Sequence, residues 1–506
     1  MRFLALLTGA ALYALALPPF DLAPLAWLAV TPLLLALWDL STRRGFVYGT
    51  LFGCACSSSV TWWAVPAIAS YFHVPLWVAG LAAVAIWTVV SVPTFGVFGA
   101  AAACLLRGEN ARATSIVLPA MWVAMELVRG RLVGQPWGLI GYTQHTHVAL
   151  IQVATLGGVY AVSYLVVLTG TVCAIVARRA ALRDGPGAAR ATVGLLVLLL
   201  GWWTSGVVAE RWTDREGLGR RSVAVVQTNV APAFRWNRAY TQRQVGAHLD
   251  LTARIEGHPA LIVWPENAVP TYLESEPMLA AELAEAASAH GADLLVGGPR
   301  LAPDGVRNSV NLFTAAGRYG GHYDKQHLVA FAEDRPFSAG AADPDSPSEF
   351  SPGRVAGVLP SFVQLGVTIC HEIVYPELVH QSVRQGAELL VNVSNDGWLG
   401  GRGVASRQHF AMSVFRAVEA RRYLVRGAIT GVSGIVDPYG RVVQTLPSDE
   451  AGIVTAEVEG RRGLTPYVRF GDAFAAACAL LSLLALARHA VGPLAWAPRP
   501  AVIPAT

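Results

Sequence analysis

The feature that most limits how this chain can fold is a series of long apolar runs. Seven lie at about 3–18, 22–39, 46–66, 76–106, 114–128, 150–177 and 191–209, and an eighth, Phe474–Ala487, reaches spanning length with its flanks. A helix needs roughly 20 mostly apolar residues to cross a bilayer, so the runs predict about eight transmembrane helices. The composition agrees. It is 54% hydrophobic and 14% charged, against about 25% charged in ordinary soluble domains. That much apolar surface excludes a purely soluble protein, and the same numbers exclude disorder and coiled coil. The fourth run contains Pro93 and Gly96 and reads as a kinked helix. The opening Met1-Arg2-Phe3-Leu4 resembles a signal peptide only weakly, because the apolar pattern resumes with no clear cleavage site.

Charge orients the spans. Arg2, the pair Arg43 and Arg44, the pair Arg107 and Arg112, the group Arg178, Arg179, Arg183 and Arg190, and finally Arg488 and Arg499 all fall on one side of an eight-span arrangement. Positive loops stay cytoplasmic, which places both termini inside. Arg129 and Arg131 break the pattern and read as a substrate or headgroup contact. Between about Arg220 and Arg462 charged residues return, and alternating apolar segments are broken by Gly, Pro and Asp. The domains expected are therefore 1–215 (spans one to seven), 220–462 (a catalytic domain outside the cytoplasmic membrane) and 463–506 (span eight and a cytoplasmic tail). Ser222–Gln227, Ala260–Trp264, Asp293–Gly297, Phe362–Ile369, Leu389–Val393 and Gly431–Val436 read as strands. Glu276–Ala289 and Ser406–Arg422 read as helices, which makes the insert α/β.

The net charge is only +4, which gives no basic surface for nucleic acid. The basic residues are lopsided, however: Lys325 is the single lysine, and the other thirty-seven are arginine. Codon bias explains a drift to arginine but not the survivor. A compact ammonium with a tunable pKa is not replaceable by a wide guanidinium. Of the six cysteines, five lie in apolar stretches, where a small buried hydrophobe is the plain reading. Only Cys370 lies in the polar insert. No Cys, His or acidic cluster has metal-ligand spacing, so neither a metal nor a cofactor is expected.

Three segments carry chemistry. Leu261-Ile262-Val263-Trp264-Pro265-Glu266-Asn267 delivers a carboxylate to a strand end. Tyr323-Asp324-Lys325-Gln326-His327-Leu328-Val329 holds the lysine, with Glu333 eight residues on. Gly366-Val367-Thr368-Ile369-Cys370-His371-Glu372 stops a strand at a thiol. Ligands gather at the carboxyl ends of strands in α/β sheets. A carboxylate can take a thiol's proton, and an ammonium can stabilise the thiolate and then an oxyanion. Each residue alone has a bland reading, as a capping acid or a buried structural thiol; the three together favour catalysis.

These strings resemble the Glu–Lys–Cys triad of the nitrilase, or carbon–nitrogen hydrolase, superfamily. Set among eight apolar spans, Trp-Pro-Glu-Asn, Tyr-x-Lys-x-His-Leu-Val and Ile-Cys-x-Glu resemble the apolipoprotein N-acyltransferase family, over essentially the whole chain. The resemblance implies a four-layer αββα domain on the periplasmic face of a bacterial inner membrane. It implies transfer of an acyl chain from a phospholipid, through a cysteine thioester, to the N-terminal diacylglyceryl-cysteine of a lipoprotein. It further implies Glu266 as base, Lys325 as oxyanion stabiliser and Cys370 as nucleophile, with Glu333 and Glu372 supporting them. Trp236, Trp137, His371, Asn395 and Trp398 are implied to line the substrate site. The partners expected are a phospholipid donor, a lipoprotein acceptor and the membrane, with the enzyme a monomer and no nucleic acid involved. His371 stands where the family carries a tyrosine and Ala330 where a proline is common; both departures bear on donor preference. Arg416, Glu419 and Arg422 read as a structural salt-bridge ladder. The alternative function is a membrane-anchored amidase that hydrolyses a small amide.

Overall fold

A computed structural model describes residues 1–107, 111–212, 217–231, 238–330, 332–333, 350–355, 357–399 and 403–491. Helices occupy all eight apolar runs. They cover Arg2–Leu15, Ala23–Leu37, Thr42–Val60 with Ala64–Phe72, Leu76–Leu105, Ala111–Arg131, Ala154–Ala181, Gly185–Trp212 and Ala473–Val491. By length and composition three of the described helices suffice to cross a membrane, or up to four if the pair around residues 61–63, bent by 66°, is one span. The shortfall from eight has a structural cause. Several runs are broken or short: the second is split into three short helical pieces, and the first and last are under 20 residues. The expected kink is present as a π-turn over Val92–Gly96, where Pro93 cannot donate to the helical ladder.

The described residues of the insert hold twelve strands: β1 (Gly217–Gln227), β2 (Leu261–Val263), β3 (Asp293–Ala302), β4 (Gly305–Phe313), β5 (Tyr319–Asp324), β6 (Val358–Pro360), β7 (Gln364–Ile369), β8 (Leu389–Ser394), β9 (Leu424–Ala428), β10 (Ser433–Val436), β11 (Val442–Leu446) and β12 (Gly452–Arg461). They form two six-stranded sheets, in the orders β12-β1-β2-β3-β4-β5 and β11-β10-β9-β8-β7-β6. The central strands β1-β2-β3 and β7-β8-β9 are parallel. Parallel strands covered on both faces need continuous apolar sequence, and Leu261-Ile262-Val263 and Leu389-Leu390-Val391 supply it.

Alternation along each strand divides the core. Val223, Val225, Val263 and Leu295 of one sheet meet Leu365, Val367, Val391 and Val425 of the other. Ala224, Val226, Ile262 and Leu294 face outward onto helices Arg238–Thr252 and Pro277–His290. The outer face of the second sheet packs on helices Pro376–Arg384 and Val404–Ala420, and these share one continuous apolar core with the helices of the N-terminal region. The αββα layering is thus present, and one of its two helical layers is seated on the membrane helices. Arg131 ties that junction by ion pairs to Glu377 and Asp472. It is accordingly a structural cation in this fold rather than a free headgroup contact. The expected ladder is only half realised: Arg416 pairs with Glu419 at 2.8 Å, but Arg422 donates to backbone carbonyls of Ala387 and Gly463.

Candidate active site

Glu266 follows β2 after Trp264-Pro265, and its side chain is 3% exposed. Pro265 lacks the N–H needed to continue the ladder, so the chain turns inward there. The Oε1 atom accepts from Asn308 Nδ2 at 2.7 Å and Lys325 Nζ at 3.2 Å, and Oε2 accepts from the Asn395 backbone N–H at 2.7 Å. Lys325 directly follows β5 and is buried. Its ammonium also donates to Glu333 at 2.8 Å. Asn308 bridges the two carboxylates by donating to Glu333 as well, and Glu333 accepts the Val329 N–H at 2.9 Å.

Cys370 directly follows β7 and begins a short 3-10 helix, Cys370–Val374. It adopts φ +51°, a left-handed conformation unusual for a residue with a side chain and often stored at reactive positions. Asn392 Nδ2 donates to the Cys370 carbonyl at 3.3 Å. Behind Asn392 lies a buried polar network in which Asp396 accepts from Arg426, Ser394, Ser406 and His409. Burial raises the Asp396 carboxyl, but the Arg426 charge together with His409 and Ser394 outweighs it and holds the group far below the usual range.

The electrostatics fit the chemistry. Burial first, then repulsion from Glu266, raises the Cys370 thiol, and Lys325 opposes both. Burial and the neighbouring Glu333 raise Glu266, against the pull of Lys325. One ammonium is thus shared by a buried carboxylate, Glu266, and a half-buried one, Glu333. Burial works to lower the Lys325 pKa, but Glu266, Glu333 and Cys370 outweigh it and keep the ammonium charged. The arrangement pairs a protonated thiol with a carboxylate made more basic than usual, beside a fixed positive charge. That is the electrostatic pattern of an activated nucleophile.

Glu372 is fully buried between the lysine loop and the cysteine turn. Its carboxylate accepts the Tyr323 hydroxyl and the backbone N–H groups of Gln326, His327 and Ile369. It therefore clamps the lysine loop to the cysteine turn, and burial raises it to about 7. Trp137 and His371 come together, with rings 6.0 Å apart and 13° from parallel. Burial lowers the His371 pKa to about 3, so it is neutral. Trp398 packs edge-on against Tyr71. Asn395 contributes through its backbone, and its side chain accepts from Gly397. Trp236 lies outside the described residues.

A cavity of about 580 Å³ abuts this cluster. Val60, Trp63, Trp87 and Trp137 of the N-terminal region line it, and so do Trp398, Val329, whose N–H donates to Glu333, and His371, which follows Cys370. Reading the sequence alone missed Asn308 and Arg426, whereas Asn392 and Asp396 belong to the segment Asn392–Trp398 that the family resemblance implies lines the site. The two missed residues lie inside strands, Asn308 in β4 and Arg426 in β9, where a polar residue within the strand was the one local signal.

Residues 9–172 match the apolipoprotein N-acyltransferase N-terminal domain family, and residues 222–467 match the carbon-nitrogen hydrolase family. An apolipoprotein N-acyltransferase from Geobacter metallireducens is 34% identical, covering 96% of this chain and 96% of its own. The chain belongs to the apolipoprotein N-acyltransferase family. Another member, from Pseudomonas aeruginosa, is 33% identical, covering 93% of this chain and 92% of its own. A solved amidase from Nesterenkonia sp. covers 52% of this chain and 97% of its own at 20% identity, with TM-score 0.40. Family membership across both regions makes this an acyltransferase with a membrane-type helical domain, and disfavours the small-amide hydrolase.

Proposed function

We propose that this protein N-acylates the N-terminal diacylglyceryl-cysteine of lipoproteins, using a phospholipid as donor and Cys370 as the acyl carrier. The observation that carries the reading is the Glu266–Lys325–Cys370 cluster set against a cavity walled by apolar helices. Glu266 takes the thiol proton, and the thiolate sulfur attacks the ester carbonyl of the phospholipid. The Lys325 ammonium stabilises the oxyanion. As the ester C–O bond breaks, the proton on Glu266 passes to the departing lysophospholipid oxygen. In the second half-reaction the α-amine of the lipoprotein attacks the thioester, Glu266 accepts its proton, the C–S bond breaks and the thiolate is reprotonated.

Glu333 and Glu372 support the triad, and Trp137, His371, Asn395, Trp398 and Trp236 border the substrates. The helical stretches of segments 1–215 and 463–506 form the membrane domain, the long ones crossing the bilayer and the short or broken ones packed beside them. Segment 220–462 lies on the outer, periplasmic face with both termini cytoplasmic, and the enzyme acts as a monomer. The arginine clusters that flank the runs support this orientation.

Mass spectrometry after incubation with phospholipid vesicles tests the reading. A fatty acyl adduct is expected on Cys370 and absent in Cys370→Ala. It should be discharged by a diacylglyceryl-cysteine lipopeptide with formation of an N-acyl amide. Release of free fatty acid with no amide product would sink the transferase reading.

A further inference from the structure

Gln408 lies on helix Val404–Ala420 of the catalytic region and is 5% exposed. Every bond its amide makes goes to the N-terminal helical region. Its Oε1 accepts the indole N–H groups of Trp63 at 3.1 Å and Trp137 at 2.7 Å. Its Nε2 donates to the carbonyls of Pro18 at 3.1 Å and Val60 at 3.0 Å. Two donors and two acceptor positions are the full capacity of a glutamine amide.

The partners explain why an amide is needed. Val60 ends a helix, so its carbonyl has no partner within the helix. It sits at the 66° bend before helix Ala64–Phe72. Unpaired polar groups in apolar surroundings are costly, and a single side chain satisfies the bend, the end of the first helical stretch and two indoles.

What Gln408 holds is the wall of the cavity. Trp63 and Trp137 both line it, with ring centroids 5.3 Å apart. Trp137 is gripped twice, at its indole by Gln408 and at its carbonyl by Arg129 Nη2 at 3.0 Å. Its face stacks on His371, the residue that follows Cys370. A continuous path of contacts thus runs from the catalytic helix through the wall to the reactive sulfur's neighbour.

We infer that Gln408 is a positioning residue for the long acyl chain, acting through Trp63 and Trp137 to keep the cavity in register with Cys370. This rests on the acyl-carrier reading above. Its consequence is selectivity for long chains over short ones, since a short acyl group needs no cavity wall.

The test uses the full-length protein with two acyl probes, dipalmitoyl phosphatidylethanolamine vesicles and p-nitrophenyl acetate, and measures the rate of adduct formation on Cys370. In Gln408→Met, which keeps the length and removes all four bonds, the ratio of long-chain to short-chain rate should fall at least about tenfold, as expected of a misplaced reactant. An unchanged ratio overturns the inference, whether both rates hold or both fall together. If Gln408→Met yields no folded protein, Gln408→Glu, which keeps the side-chain shape and an acceptor oxygen for both indoles but loses the amide donors to Pro18 and Val60, decides by the same ratio with a smaller drop. Absence of any Cys370 adduct in the wild type would instead overturn the acyl-carrier reading.

Discussion

At the scale of single residues, the site turns on one ammonium that arginine cannot replace. Lys325 is 1% exposed and fits between carboxylates at 3.2 and 2.8 Å. A guanidinium there is too broad and directs its charge in a plane. Lys325→Arg is expected to lower the rate of Cys370 acylation about 10²–10³-fold, the usual loss for removing one oxyanion stabiliser; a stopped-flow or mass-spectrometric acylation assay measures it. The lone lysine among the basic residues was legible in the sequence as a site that resisted substitution. Its second carboxylate partner was legible only as a nearby acid, because eight residues of separation say nothing about whether Glu333 folds back. The left-handed backbone of Cys370 and its support from Asn392 were not legible at all.

At the scale of elements, close helix packing sets the frame around the cavity. Gly45, Gly49 and Gly53 lie on one face of helix Thr42–Val60, four residues apart, and meet the bend at Phe95 and helix Val97–Leu105. A Cβ at Gly49 would overlap the Phe95 carbonyl oxygen and lie 2.9 Å from the Gly99 Cα. Small residues at such spacing let helix backbones approach. Gly49→Ala should therefore destabilise the protein by about 1–3 kcal/mol, the range for overpacking, read as a lower melting temperature in detergent. The run of residues 46–66 showed in sequence as a single apolar span. The break at residues 61–63 did not show there, since its indole and carbonyl partners come from Gln408, more than three hundred residues away.

At the scale of the whole molecule, buried neutral histidines couple stability to pH. His380 packs edge-on against Tyr467, with ring centroids 4.5 Å apart, where the catalytic region returns to the last helix. Burial lowers it from 6.5 to about 3. Between those values the unfolded chain binds the proton and the folded chain does not. Its contribution is therefore complete above about pH 6.5 and is lost as pH falls toward 3. Glu419 has the opposite sign: burial raises it from 4.5 to about 7, so its contribution is present below 4.5 and lost as pH rises through 7. His380→Phe should make the stability profile flatter by up to ~1.4 kcal/mol per pH unit within the histidine's window, and thermal melts from pH 7 to 4 measure the difference.

The sequence alone determined what depends on local pattern: apolar runs that become helices, alternating segments that become strands, and strand ends that deliver Glu266 and Cys370. Burial of apolar surface and backbone geometry act over a few residues, so they leave a readable period. Tertiary structure alone decided how many runs are straight enough to span. It also decided which acid clamps the loops and which face of the catalytic region meets the helices. Those outcomes depend on pairings such as Arg131 with Glu377 and Gln408 with Trp137. Such partners are far apart along the chain and leave no local trace.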